Sequence, residues 1–204
     1  MTIENSTFRL DAFSDGVFAI AITLLVLDIK LPSSMTVESN ADFWLALGRI
    51  APAMVAFVLS FGVILITWVN HHGFTKSVDK TSASFIFANG FLLMTIVVLP
   101  FPTSLLGEYV LTDHASPAVV LYNAIASAQG LAWVLLSTAA LKNHLTKNET
   151  SAVQMHNNRR SGYVAFIVYG LLAIVALWIP LTSVIITSMS WIFWLIFGMK
   201  LKQE

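Results

Sequence analysis

Ser14, Asp15 and Gly16 stand inside an otherwise apolar run, "RLDAFSDGVFAIAITLLVLDIKLP", residues 9–32. A carboxylate in such a run is costly and a glycine weakens a helix, so both call for a reason. The residue types nearby limit the chemistry. Asp15, with Ser14 and Arg9, can build a polar network or coordinate a cation. Trp68, Asn70, His71 and His72, in "WVNHH", offer donors and ring nitrogens at the end of a second apolar run. Neighbouring histidines on a helix point about 100° apart, and no Glu-x-x-His or His-x-x-x-His spacing accompanies them, so no resident metal is expected. Ser14, Asp15 and a histidine come without a nucleophile elbow, so no catalytic residue is expected and the chain is read as a non-enzyme. The absence of cysteine excludes disulfides and thiolate chemistry.

The elements that position these groups follow from composition. Of 204 residues, 57% are hydrophobic and 11% charged, and mean hydropathy is +0.78. A soluble domain carries about 25% charged residues, so the sequence predicts an all-α integral membrane protein. Six apolar segments lie near residues 8–31, 43–68, 82–99, 118–141, 162–179 and 182–199 and form one domain over 1–204. Each is long enough to cross a hydrocarbon core of about 30 Å. Pro100-Phe101-Pro102 is expected to stop the third segment, and Pro180 to separate the last two as a tight hairpin. Net charge is zero, and no basic region suits nucleic acid.

Orientation follows from lysine and arginine. With an even number of spans and the N-terminus inside, the inner side holds Arg9, Lys76, Lys80, Lys142, Lys147, Arg159, Arg160, Lys200 and Lys202. The outer side holds Lys30 and Arg49, with the acids Asp28, Glu38, Asp42, Glu108 and Asp113. A multi-pass protein of the cell membrane with both termini cytoplasmic is the expectation.

The first segment divides into faces. At about 100° per residue, Phe13, Gly16, Leu24, Leu27 and Leu31 fall within roughly 40° of Ile20, and Thr23 lies about 60° away. Ser14 and Asp15 lie about 120° and 140° round the helix. They are expected to anchor the helix to the second and third segments through Trp68, Asn70 or a histidine, with Asn89 a further candidate. Direct ion coordination by Asp15 is disfavoured by its angle.

Arg9-x-x-x-Phe13-Ser14-Asp15 and the following "GVFAIAITLLVLDIKLP", with "WVNHH" ending the second segment, resemble the signature of the lysosomal and endosomal potassium channels (transmembrane protein 175) and their bacterial homologues. One set of six spans is similar to the bacterial form. The resemblance implies a homotetramer around a central pore lined by the first helix, with no carbonyl filter. It implies a hydrophobic constriction at Ile20, further apolar rings at Leu24 and Leu27, and a hydroxyl layer linked with potassium selectivity at Thr23. Arg9, Phe13, Ser14 and Asp15 would belong to the motif's polar network. The implied activity is a potassium-preferring cation channel with potassium as permeant species, no cofactor, and membrane lipids as further partners. A proton- or cation-coupled secondary transporter is the alternative, since intramembrane polar residues also suit coupling.

Overall fold

The computed structural model describes residues 4–30 and 37–200. Leu31, at the end of the predicted stripe, and Lys202, counted on the inner side, lie outside them. Among the described residues eight α-helices follow in order: α1 (Glu4–Leu24), α2 (Asn40–Arg49), α3 (Ala51–Thr75), α4 (Ala83–Val98), α5 (Pro100–Tyr109), α6 (Ala115–Lys142), α7 (Glu149–Val175) and α8 (Pro180–Lys200). A 3-10 turn, Leu25–Asp28, tightens the end of α1.

Prolines account for two departures from the predicted segments. Over 43–68 the sequence predicts one segment, but the structure has a short helix and a long one. Pro52 has no N–H to offer the Gly48 carbonyl, so the chain breaks at Ile50 and restarts with proline in the first turn of α3. The first piece, α2, is capped by the Ser39 hydroxyl, which accepts from the Asp42 N–H at 3.2 Å. None of its residues is buried.

At Pro100-Phe101-Pro102 the opposite happens. Leu99 keeps helical angles (φ −56°, ψ −35°), and the Thr103 N–H reaches the Leu99 carbonyl at 3.2 Å. Proline in the first turn of α5 loses only donors that a helix start leaves unused. The chain therefore continues, and Ala83–Tyr109 acts as one apolar stretch of 27 residues. The expected stop at 99 is corrected accordingly.

Among the described residues, four stretches are long and apolar enough to cross a membrane: Thr7–Leu27, Ala51–Thr75, Ala83–Tyr109 and Ala115–Lys142. Within α8, Pro180–Ile192 is a shorter apolar helix. The fifth predicted segment begins at 162, yet α7 starts at Glu149. The Asn148 carboxamide oxygen accepts from the Ser151 N–H at 2.8 Å and sets that start, so a polar first half precedes the apolar one.

One core joins Phe18 and Ala21 of α1 and Leu25 of the 3-10 turn to Val63 and Ile64 of α3, Leu93 and Ile96 of α4, and Val119 and Tyr122 of α6. A second joins Phe74 and Val78 to Phe85, Leu136 and Met155. The loops after α3 and α6 meet at one end of the bundle through a bridge between Val78 and Thr146. There the Asp79 N–H donates to the Leu145 carbonyl at 2.8 Å.

The α6–α7 pair packs backbone to backbone. A Cβ built on Gly130 would stand 2.5 Å from the Phe166 amide nitrogen, and one on Gly162 would stand 3.0 Å from the Gly130 carbonyl oxygen. Close approach of this kind needs small residues. The Ser127 hydroxyl reinforces it by donating to the Phe166 carbonyl at 2.8 Å. Gly130→Ala is expected to lower stability by about 1–3 kcal/mol, the usual cost of overpacking. The check is the unfolding midpoint of the purified protein; an unchanged midpoint would mean that the helices part freely.

Candidate functional site

Two opposite faces of α1 meet different surroundings. Ser14, Phe18, Ala21 and Leu25 recur at helical spacing and are at most 1% exposed. They face α3 and α4, with α5 beside Leu25. The other face carries Phe13, Gly16, Ile20, Thr23, Leu24 and Leu27, all exposed in the single chain. Ile20 is 61% and Leu27 74% exposed. A long apolar stripe left bare by its own chain needs a non-aqueous partner.

On this face the Thr23 hydroxyl donates back to the Ile20 carbonyl at 2.8 Å. Its hydrogen is thus directed along the helix. The oxygen lone pairs are left as acceptors on the exposed side.

Behind α1 a polar network fastens it at two points. The Trp68 indole N–H donates to Asp15 Oδ1 at 2.8 Å, tying α1 to α3. Asn89 Nδ2 donates to the Ser14 hydroxyl at 3.0 Å, tying α1 to α4. Asn89 Oδ1 lies 2.6 Å from His71 Nε2, which closes the network between α4 and α3. With the carboxamide in this orientation its oxygen accepts, so His71 carries hydrogen on Nε2.

Ser14, His71 and Asn89 are each at most 1% exposed. The rings of Phe18 and Trp133 flank His71, with centroids at 5.5 and 6.5 Å. Water has no room to replace a broken bond, which makes each partner expensive to lose.

Not every residue singled out in the sequence joins this network. Arg9 is exposed, and no hydrogen bond or ion pair to its side chain occurs among the described residues. Asn70 is exposed as well and lies outside the network. His72 is exposed and stacks on Trp68, with ring centroids 6.1 Å apart. Phe13 belongs to the outward face.

Three further polar clusters escaped the sequence reading. Gln129 donates to the Thr67 hydroxyl at 2.7 Å, linking α6 to α3. Ser60 receives the Thr103 hydroxyl at 2.7 Å and meets Tyr122 at 3.2 Å. Asn123 contacts Ser183 at 3.2 Å and Thr187 at 2.7 Å, linking α6 to α8. The available signal was the one that picks out Asp15, a polar residue inside an apolar segment. Among the described residues no three His, Cys, Asp or Glu side chains converge as metal ligands would.

Comparison with known proteins completes the description. The family model described as TMEM175, endosomal/lysosomal potassium channel TMEM175, matches residues 9–100. A potassium channel of Chamaesiphon minutus is 42% identical over 149 residues, 73% of this chain and 68% of that protein. A potassium channel of a Chryseobacterium strain is 29% identical over 199 residues, 96% of each. The crystal structure of a lysosomal potassium-selective channel TMEM175 homolog from Chamaesiphon minutus matches with a TM-score of 0.85 at 32% identity, covering 95% of this chain and 98% of that one.

Proposed function

Since the chain belongs to the TMEM175 potassium channel family, we propose that it forms a potassium-preferring cation channel whose pore is lined by α1. The observation that carries this is the division of α1 into a bolted polar face and a bare apolar stripe through Ile20, Leu24 and Leu27. Four copies around an axis would bring the four stripes together and supply their missing partners. The spans would number six, with α7 and α8 completing the four apolar stretches described above. Both termini would be cytoplasmic in the cell membrane. The meeting of the loops after α3 and α6 at one end supports that even-numbered plan. Potassium is the permeant species and no cofactor takes part. The coupled-transporter alternative draws no support from the named relatives, which are channels.

The mechanism follows from solvation. A ring of Ile20 side chains forms a narrow, poorly wetted neck, and a cation there loses water that alkyl groups do not replace. Conduction requires α1 to turn or splay so that Ile20 leaves the axis. Thr23 then presents oxygen lone pairs already oriented by its bond to the Ile20 carbonyl. Potassium is favoured because partial stripping of its shell is less costly than for sodium. Ser14 and Asp15 hold the pivot on the subunit side and do not touch the ion.

The test is electrical. In a planar bilayer, unitary potassium currents far above transporter turnover are expected, and stoichiometric slow exchange would overturn the proposal. Thr23→Ala is expected to lower the potassium-to-sodium permeability ratio roughly fivefold, equivalent to about 1 kcal/mol of lost differential solvation. Thr23→Ser keeps the hydroxyl and should retain most of the ratio. Reversal potentials under bi-ionic conditions measure both; an unchanged ratio in Thr23→Ala removes threonine from selectivity.

A further inference from the structure

At the end of the bundle opposite the Ser14–Asp15 network, a cleft of about 230 Å³ opens between the 3-10 turn after α1, the start of α3 and the last turns of α5. Its wall is apolar, formed by Leu25, Ile29, Ile50 and Phe57. Its rim carries Lys30, Arg49 and Glu108. Lys30 and Arg49 are the two basic residues that the charge distribution places on the acidic side of the protein, and both line this one cleft.

We propose that this cleft binds the phosphodiester headgroup of an anionic membrane lipid. Three observations carry the assignment. The first is charge. The rim carries two cations and one carboxylate, and the planar Arg49 fork suits two phosphate oxygens.

The second is exchange. Lys30 is held by Glu108 at 3.0 Å, but the two side chains are 78% and 49% exposed. An exposed pair of this kind contributes little, so Glu108 is a weak competitor for a phosphate at Lys30. The half-buried Ser104 hydroxyl lines the same cleft and is a further donor.

The third is depth, which separates a lipid from free phosphate. The apolar stretches Thr7–Leu27 and Ala83–Tyr109 end at the cleft, and Ala51–Thr75 begins there. Headgroups occupy that level of a bilayer, and basic pockets between spans are where they lodge. From the turn of α3 that supplies Ala53 and Phe57, an exposed stripe of Met54, Val58, Phe61 and Leu65 runs toward the far end. Its spacing lays it along one side of α3, a track for an acyl chain. The cleft itself has room for a headgroup and not for a whole lipid.

The experiment uses the purified full chain in a zwitterionic detergent and reads thermal unfolding. Short-chain phosphatidylglycerol and inorganic phosphate are titrated separately. The lipid is expected to raise the midpoint, and Lys30→Gln/Arg49→Gln is expected to raise its half-saturating concentration about tenfold or more. These rim residues are exposed, so the variant's midpoint without lipid should match the wild type. Glu108→Gln removes the competing carboxylate and is expected to lower the half-saturating concentration. Equal half-saturation in wild type and double variant overturns the site, as does a lack of protection by the lipid. Equal protection by inorganic phosphate, lost in the double variant, overturns the lipid assignment in favour of free phosphate. If the double variant does not fold, the Glu108→Gln arm decides, and an unchanged value rejects the proposal. Binding is read without conduction, so this outcome is independent of whether the chain forms a channel.

Discussion

Liposomes carrying Ile20→Asn are expected to pass potassium about tenfold faster than wild type or more, and to lose most of their preference for potassium over sodium. The effect is large because conduction through the proposed neck of alkyl groups would be limited by dehydration. Each ~1.4 kcal/mol removed from that barrier multiplies the rate by ten. A carboxamide at the same place offers an oxygen to the ion and holds water, so the neck stays wet and discriminates less. Ile20 is exposed on a face its own subunit leaves bare, so the substitution should spare the fold.

Val26→Asn is the matched control. Val26 is also exposed on this segment, yet lies in the 3-10 turn beyond α1, off the line of Ile20 and Leu24. It should leave flux and selectivity unchanged. Unaltered flux in Ile20→Asn together with normal assembly would show that Ile20 is not the constriction. An equal rise in both variants would point to leakage around a loosened helix.

Asn89→Ala is expected to destabilise the protein by about 2–4 kcal/mol, because it orphans two buried groups at once. Asn89 alone bridges the Ser14 hydroxyl, at 3.0 Å, and His71 Nε2, at 2.6 Å. All three residues are closed to water, so the penalty is that of unsatisfied buried donors and acceptors and not of one lost bond. Denaturant or thermal unfolding in detergent measures it.

Ser14→Ala removes one partner and should cost less, about 1–2 kcal/mol. The double variant Ser14→Ala/Asn89→Ala should cost less than the sum of the two, as expected of residues in one network. Additive losses would show that Ser14 and Asn89 stabilise the fold independently. A loss below about 1 kcal/mol for Asn89→Ala would reject the network as the anchor of α1.

Much of the candidate site is legible as angle and composition. A period of 3.6 residues on α1 separates Ile20, Leu24 and Leu27 from Ser14 and Asp15 whatever surrounds the helix. The structure has Ser14 buried and Ile20 exposed on those opposite faces. The polar groups near Asp15 were harder to sort. Asn70, His71 and His72 are consecutive and identical in apparent promise, but consecutive helical positions point about 100° apart, and only one can face α4. His71 does so; Asn70 and His72 are exposed. Arg9 is near Asp15 in sequence, but the structure gives Asp15 an indole from α3 instead, across 53 positions of chain.

Proline was legible as a disturbance and not as an outcome. Pro52 ends a helix because the missing N–H falls where a continuing helix needs it, opposite the Gly48 carbonyl. At Pro100 and Pro102 the helix carries on, with Leu99 at ψ −35° where Ile50 opens to ψ 0°. Which of these happens depends on whether neighbours hold the backbone straight. Pro100 and Pro102 are both buried, whereas no residue of α2 is.

By itself the sequence determined that this is a membrane-embedded helical protein and which face of α1 is apolar. Those properties are set by hydropathy and by the helical period, and both act locally. Only the tertiary structure decided which side chains close the network behind α1, that α4 and α5 act as one stretch, and that the two basic residues Lys30 and Arg49 share a cleft. The network and the cleft join groups apart in the chain, and the packing of α1 to α5 is what brings them within reach.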